Sequence, residues 1–290
     1  MEAKLKIAAV ADKVNRIQHN RMLLLKDLLK PDISINVFVP DDKPSFNGYD
    51  LVYYTHFSLF KKAPCKGKKY ASITSHKCLD DMKSTLNDIK EFDAISVNNT
   101  ILYSVFENRV ENLFLTPNGV DTKFFTYVTK PLGNPPVFGW VGNKDRATKN
   151  YEEIVVPLSK QIEIKQVAPS KSDRSEDLLS AEEMREFYHS LDFFLVTSST
   201  EGTPNPGLEA LSCGVPVITT HVGNMIEIIR EGQNGFYAEP TLQSFREITR
   251  SVQKMQWGLY SDMREEARLS VETVWDWTHA ANYWRIFFLH

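Results

Sequence analysis

The stretch Phe193-Phe-Leu-Val-Thr-Ser-Ser-Thr-Glu201-Gly-Thr-Pro-Asn-Pro-Gly207-Leu-Glu209-Ala-Leu-Ser-Cys-Gly214-Val-Pro-Val-Ile-Thr219 decides the fold. Residues 193–196 are a short apolar run of the kind that forms a buried strand. A polar turn follows, and residues 205–213 carry helical spacing with Pro206 near the start. Gly214 and Pro216 stop that helix, and the apolar run 215–219 reads as a second strand. Strand, helix, strand is the repeating unit of a doubly wound sheet.

The same alternation runs along the chain. Strand-like runs lie at 5–11, 33–39, 51–54, 71–74, 94–97 and 113–115, with helical spacing at 19–29, 79–92 and 101–107. A second series has strands at 137–141, 162–167, 193–196 and 215–219, and helices at 150–158, 181–190, 205–213 and 225–230. Ser180 with Glu183 forms a capping box for one of them. Pro117-Asn118-Gly119 marks the end of the first series, and 129–136, with three prolines and a glycine, reads as a linker. The expectation is an α/β protein of two doubly wound, Rossmann-like domains, 1–128 and 129–273. By the switch-point rule its ligand binds outside the carboxyl ends of the strands, in a cleft between the domains.

Composition agrees. The chain has 290 residues, 42% hydrophobic and 24% charged, which excludes disorder and a fibrous repeat. No apolar run approaches the roughly 18 to 20 residues of a membrane span, and Met1-Glu-Ala-Lys4 leads into a strand-like run instead of a signal-peptide core. A cytoplasmic protein is expected. Cys65, Cys78 and Cys213 are far apart and read as reduced thiols. The net charge is +3 over residues 1–126 and −6 over 127–290. Lys61, Lys62, Lys66, Lys68 and Lys69 carry much of the basic excess; they read as a solvated loop, or as a contact for an anionic acceptor, a peripheral membrane surface or nucleic acid.

The chemistry starts at the turn before 205–213. Free N–H groups and the positive dipole end at Asn205, Pro206 and Gly207 favour phosphate, and Gly207 permits close approach to the backbone. Glu209, a turn into the helix, can accept from the two hydroxyls of a ribose, while Glu201 reaches another part of the same ligand. Taken by spacing alone, both glutamates equally suit a solvated surface.

The run from Glu201 to Ile218 resembles the signature of the family 4 retaining glycosyltransferases of GT-B fold, the glycosyl transferases group 1, whose hallmark is two glutamates separated by seven residues. The resemblance continues in order. Gly223-Asn224 with Glu227 is similar to the family's Gly-Gly-x-x-Glu segment, and Glu231-Gly-Gln-Asn-Gly-Phe236 to its next turn. Phe138-Gly-Trp-Val-Gly142 resembles its first nucleotide-domain strand, with Lys149 at the diphosphate-binding lysine. Pro117-Asn118-Gly-Val-Asp121, then Phe124 and Phe125, resembles its Asn-Gly-Val-Asp element, and Val274-Trp-Asp-Trp-Thr the start of a last helix that crosses back to the first domain. About residues 70 to 290 are covered.

This resemblance implies transfer of a sugar from a nucleotide diphosphate sugar to an acceptor hydroxyl, with retention and without a metal or other cofactor. Glu201, His76 and Lys149 are the expected catalytic residues. Glu209, Asn205, Pro206, Gly207, Gly142, Asn143, Arg146 and Asn118 are the expected donor-binding ones. An ammonium at Lys149 lowers the barrier by meeting the charge of the departing diphosphate. The family places an arginine where this chain has Asn143, so Lys144 or Arg146 takes that role. His76 follows strand 71–74 at the position of the family's first-domain histidine, and His56 is a weaker candidate of the same kind. Asp12-Lys-Val-Asn-Arg16 stands where relatives have a glycine-rich loop; Arg16, Gln18, His19 and Asn20 are available to line the acceptor side. Asp41-Asp42 and Asp80-Asp81 read as solvated surface, and the sequon Asn98-Asn99-Thr100 carries no role in a cytosolic protein. The acceptor is a glycan, a lipid-linked or small molecule; alternatives are modified DNA bases, or a nucleotide-sugar-binding scaffold with little turnover.

Overall fold

The computed structural model describes residues 5–169 and 179–290; the opening Met1-Glu-Ala-Lys4 lies outside them. The chain divides into two units, one running to Pro117 and regaining Thr278–His290, the other Asn118–Trp277.

Unit 1 contains β1 (Leu5–Val10), α1 (Ile17–Leu28), β2 (Ile33–Phe38), β3 (Leu51–Tyr54), β4 (Lys69–Ile73), α2 (Met82–Ile89), β5 (Ala94–Val97), α3 (Thr100–Phe106) and β6 (Leu113–Leu115). The strands form one sheet in the order β2-β1-β3-β4-β5-β6, and every pairing is parallel. Ile7, Ala8, Ala9, Val10, Tyr53, Tyr54, Ala71 and Ile73 are fully buried, because crossover helices cover both faces of a parallel sheet.

Unit 2 contains β7 (Phe138–Val141), α4 (Val156–Ser159), β8 (Ile164–Val167), α5 (Ala181–His189), β9 (Phe193–Val196), α6 (Asn205–Ser212), β10 (Val217–Thr219), α7 (Met225–Ile228), β11 (Gly235–Tyr237), α8 (Leu242–Val252) and α9 (Trp257–Glu272). Its five strands are ordered β11-β10-β9-β7-β8, again all parallel. The capping box is present: Ser180 N–H donates to Glu183 Oε2 at 2.8 Å, and Glu183 N–H to Ser180 Oγ at 3.2 Å.

The last helix, α10 (Trp277–Leu289), returns the chain to unit 1. Trp284, Phe287 and Phe288 meet Tyr53 of β3 edge to face, at centroid distances of 5.9, 5.9 and 5.2 Å. Each such pair contributes about 0.5–1.5 kcal/mol beyond its area. Trp284 Nε1–H donates to Pro117 O at 3.0 Å, so the indole is satisfied as well as buried. A chain of hydroxyls crosses the sheet beside it, from Tyr53 to Ser72 (2.6 Å), Ser72 to Ser96 (2.6 Å) and Thr116 to Ser96 (2.9 Å).

Some elements differ from the sequence pattern. The expected helix 79–92 is a 3-10 turn, His76–Leu79, followed by the shorter α2, because Asp81 accepts from Ser84 N–H and starts a new helix there. The expected helix 150–158 begins with a single π-turn, Tyr151–Val155, and has α geometry only over Val156–Ser159, where Pro157 lacks an amide hydrogen to donate. α8, α9 and β11 are additions. In α9 the apolar stripe includes Arg264, fully buried, which donates to Tyr260 Oη (3.0 Å) and Val128 O (2.8 Å). Asp42 accepts from Val39 N–H at 3.0 Å, Asn99 caps α3 through Leu102 N–H, and Asn98 is buried. In the lysine run, Lys61 pairs with Asp88 at 2.8 Å, while Lys68 and Lys69 lie over the rings of Tyr70 and Phe60.

Candidate active site

In unit 2 the carboxyl ends of β7 and β9 bring two loops together. The 3-10 turn Ala147–Lys149 ends on Asn150, whose positive φ of 51° turns the chain back. Three hydrogen bonds tie it to the end of β9, and a fourth joins Trp140 of β7 to the same Thr197. Asn150 Nδ2–H donates to Thr197 O (2.8 Å), Thr197 Oγ1–H to Lys149 O (2.6 Å), Ser199 N–H to Thr148 O (2.8 Å) and Trp140 Nε1–H to Thr197 Oγ1 (3.0 Å). Lys149 is thereby aimed at Glu201, with Nζ 2.5 Å from Oε1 and both side chains about seven-eighths buried (13% and 15% exposed). Ser198 Oγ–H donates to the same carboxylate oxygen at 2.8 Å. Ammonium and carboxylate neutralise each other in a setting where each charge alone is costly.

Small residues make this possible. A Cβ on Gly142 comes within 2.9 Å of the Trp140 ring and 3.3 Å of Lys149 Cδ, so a side chain here displaces the lysine. Gly223 has φ +50°, and a Cβ on it lies 2.4 Å from Gly202 O, which locks the loop after β10 against the residue following Glu201. Beside it, Asn224 is fully buried with neither amide atom paired to protein. Such a group is satisfied by a ligand hydroxyl or an ordered water, or costs about 1–3 kcal/mol.

α6 opens at Asn205 with Pro206 in its first turn. Asn118 Nδ2–H donates to Asn205 Oδ1 at 3.0 Å, holding the chain before Val120 to the start of the helix. Gly207 is buried against Met225. Glu209, one turn in, is half-buried, and Tyr188 Oη–H of α5 donates to its Oε2 at 2.6 Å. Burial raises the Glu209 carboxyl to about 7, against which the Tyr188 hydrogen bond pulls it down. Asn143 caps its own turn by accepting from Asp145 N–H at 2.9 Å, and Arg146 is exposed.

His76 stands in unit 1, opening the turn after β4. At the same edge Gln18 Nε2–H donates to Thr74 Oγ1 (3.4 Å) and Asn98 Nδ2–H to Thr74 O (3.5 Å), while Arg16 precedes α1 and Asn20 is exposed on it. His56 accepts from Ser58 N–H at Nδ1 and stacks on Phe57; burial lowers its pKa against the opposing pull of Asp12. A cavity of about 1000 Å³, lined by Asp81, Lys90, Asp93, Arg109 and Glu111 among others, lies near the amino ends of β5 and β6, away from this edge.

Residues 138–254 match the family described as Glycosyl transferases group 1. Relatives of the chain include an uncharacterized glycosyltransferase of Methanocaldococcus jannaschii, 38% identical over 60 residues, 21% of this chain and 17% of that protein. The capsular polysaccharide biosynthesis glycosyltransferase CapM of Staphylococcus aureus is 33% identical over 69 residues, 24% of this chain and 18% of its own length. The matched stretches are thus less than a fifth of these curated relatives. Among solved structures, sucrose-phosphate synthase from Thermosynechococcus elongatus aligns over 98% of this chain and 99% of its own with TM-score 0.81 at 14% identity. Anabaena HepE, in complex with UDP-glucose, gives 0.77 at 14% with the same coverage. The matched segment therefore sits within a chain of GT-B fold. The Tyr188, Asn150 and Thr197 contacts carry no short-range sequence signal, since each partner is contributed by another element.

Proposed function

We propose that the protein is a retaining, metal-independent glycosyltransferase that moves a sugar from a nucleoside diphosphate sugar to an acceptor hydroxyl. The observation that carries this reading is the convergence of Lys149 and Glu201, 2.5 Å apart, beside the start of α6, inside the segment that matches the family. In this reading the donor diphosphate takes over Lys149 from Glu201, and the start of α6 adds its dipole alone: contrary to the expectation of free N–H groups there, Pro206 has none and those of Asn205 and Gly207 donate to Thr203 O (3.0 Å) and Pro204 O (2.8 Å). Freed of part of its pairing, Glu201 accepts from hydroxyls of the sugar. Glu209 accepts from the ribose, and Asn224 offers its unpaired amide. As the bond to the anomeric carbon breaks, Lys149 meets the growing charge on the leaving phosphate. That phosphate removes the acceptor hydroxyl's proton on the same face, so retention needs no protein base.

UDP in the complex named for HepE makes UDP-sugars the first donors to try. Thermal unfolding with UDP-, GDP- and ADP-sugars tests the reading, because a ligand at 100 times its Kd raises stability by about 2.7 kcal/mol. At least one is expected to raise Tm in the native chain and not in Glu209→Ala. No shift with any of the three, together with no diphosphate released from them, overturns it.

A further inference from the structure

Tyr188 and Glu209 lie 21 residues apart, on α5 and α6, and make one of the shortest side-chain hydrogen bonds in unit 2, with Oη 2.6 Å from Oε2. The tyrosine has no freedom to do otherwise. Its ring is fully buried and packed edge to face against Phe125, Phe187 and Phe194 at 5.5 to 5.9 Å. A phenol fixed in this way presents one donor at one point, and the carboxylate must come to it.

We infer that Tyr188 is the positioning residue of the ribose site: it anchors Oε2 of Glu209 and leaves Oε1 as the oxygen offered to the nucleotide. The inference rests on the reading of Glu209 as the ribose ligand. A carboxylate with one oxygen held by a buried phenol has lost most of its rotamer freedom, so the ligand need not order it. The hydrogen bond also acts on charge. Glu209 sits where burial favours the protonated acid, and the groups that face it are Tyr188 from α5 and Cys213 one turn along α6. Arg185, Arg264 and Arg268 act on Cys213, and none of them is a cause of the Glu209 shift. The tyrosine hydroxyl is thus the group that favours the carboxylate, the form able to accept from a ribose hydroxyl. Cys213 is buried and its thiol is pushed up to about 12, so it is neutral at physiological pH and offers no competing charge.

Carbon-13 NMR of the side-chain carboxyls, in the native chain without ligand, tests this directly. Glu209, assigned by its absence in Glu209→Gln, is expected to titrate near 7, with the same inflection at the ring Cζ of Tyr188. In Tyr188→Phe the Glu209 midpoint is expected to rise by about one unit, the size of a lost hydrogen bond to a charged group. UDP affinity is expected to fall about tenfold at pH 7 and to recover as pH is raised, while kcat at saturating donor changes little. A midpoint that stays in place in Tyr188→Phe, or a Tyr188 ring carbon blind to the Glu209 titration, overturns the inference whether or not UDP binds. If both titrations behave as stated and neither UDP, GDP nor ADP binds at any pH, the positioning stands and the ribose role of Glu209 falls.

Discussion

Lys149 Nζ lies 2.5 Å from Glu201 Oε1, although the two residues sit on different loops of unit 2 and are 52 positions apart. Without ligand, the cation expected to meet a diphosphate is held by the carboxylate expected to meet a sugar. Each holds the other oriented in a mostly buried setting.

Lys149→Met is therefore expected to act twice. Loss of one charge-stabilising donor lowers kcat by about 100-fold or more, measured as diphosphate released at saturating donor. The unpaired Glu201 also destabilises unit 2, by about 1–3 kcal/mol, read from urea unfolding. Glu201→Gln, whose amide oxygen can still accept from Lys149 and Ser198, is expected to destabilise unit 2 less than Lys149→Met does and still to lose activity.

Stability is expected to depend on pH through Glu209. Its folded value of about 7 stands above the ordinary 4.5, so the folded state holds the proton more tightly than the unfolded chain does. That contribution is complete below about 4.5 and disappears as pH rises through 7. Native protein is thus expected to lose Tm relative to Glu209→Gln between pH 4.5 and 7. A constant difference across that window contradicts the shift.

Two glycines with left-handed backbones separate strain from crowding. Gly223→Ala places a Cβ 2.4 Å from Gly202 O at φ +50°, whereas Gly232→Ala at φ +72° meets nothing within 4 Å. The second is expected to cost about 1 kcal/mol, from backbone strain alone. The first is expected to cost several times that and to weaken donor binding, since the Glu201-Gly202 loop must move. Chemical denaturation of both variants gives the comparison.

Trp284→Ala is expected to destabilise unit 1 by about 3–5 kcal/mol, through loss of a fully buried indole and its bond to Pro117 O. Tyr283→Ala, on the exposed side of α10, is expected to change stability by less than about 0.5 kcal/mol.

The sequence by itself determined the class of fold and, in outline, the elements up to α7, and left out β11, α8 and α9. Local chemistry suffices where the signal is short-range: the apolar run Phe193–Val196, Pro206 opening α6, Gly214 at φ +71° closing it, and the Ser180–Glu183 box each act within a few residues. The resemblance around Glu201 and Glu209 added the GT-B fold. Where periodicity was broken from within, the reading was incomplete: Arg264 interrupts the stripe of α9, and Pro157 shortens α4. Only the tertiary structure decided who holds whom. Lys149 with Glu201, Tyr188 with Glu209 and Asn118 with Asn205 join residues 52, 21 and 87 positions apart. Spacing carries no record of such partners, because a parallel sheet gathers its site from the ends of strands that follow one another only through helical crossovers. The chain could announce that Glu209 is a carboxylate near a helix start. That this carboxylate is half-buried, pushed up to about 7 and pinned by a phenol is a property of the packing around it.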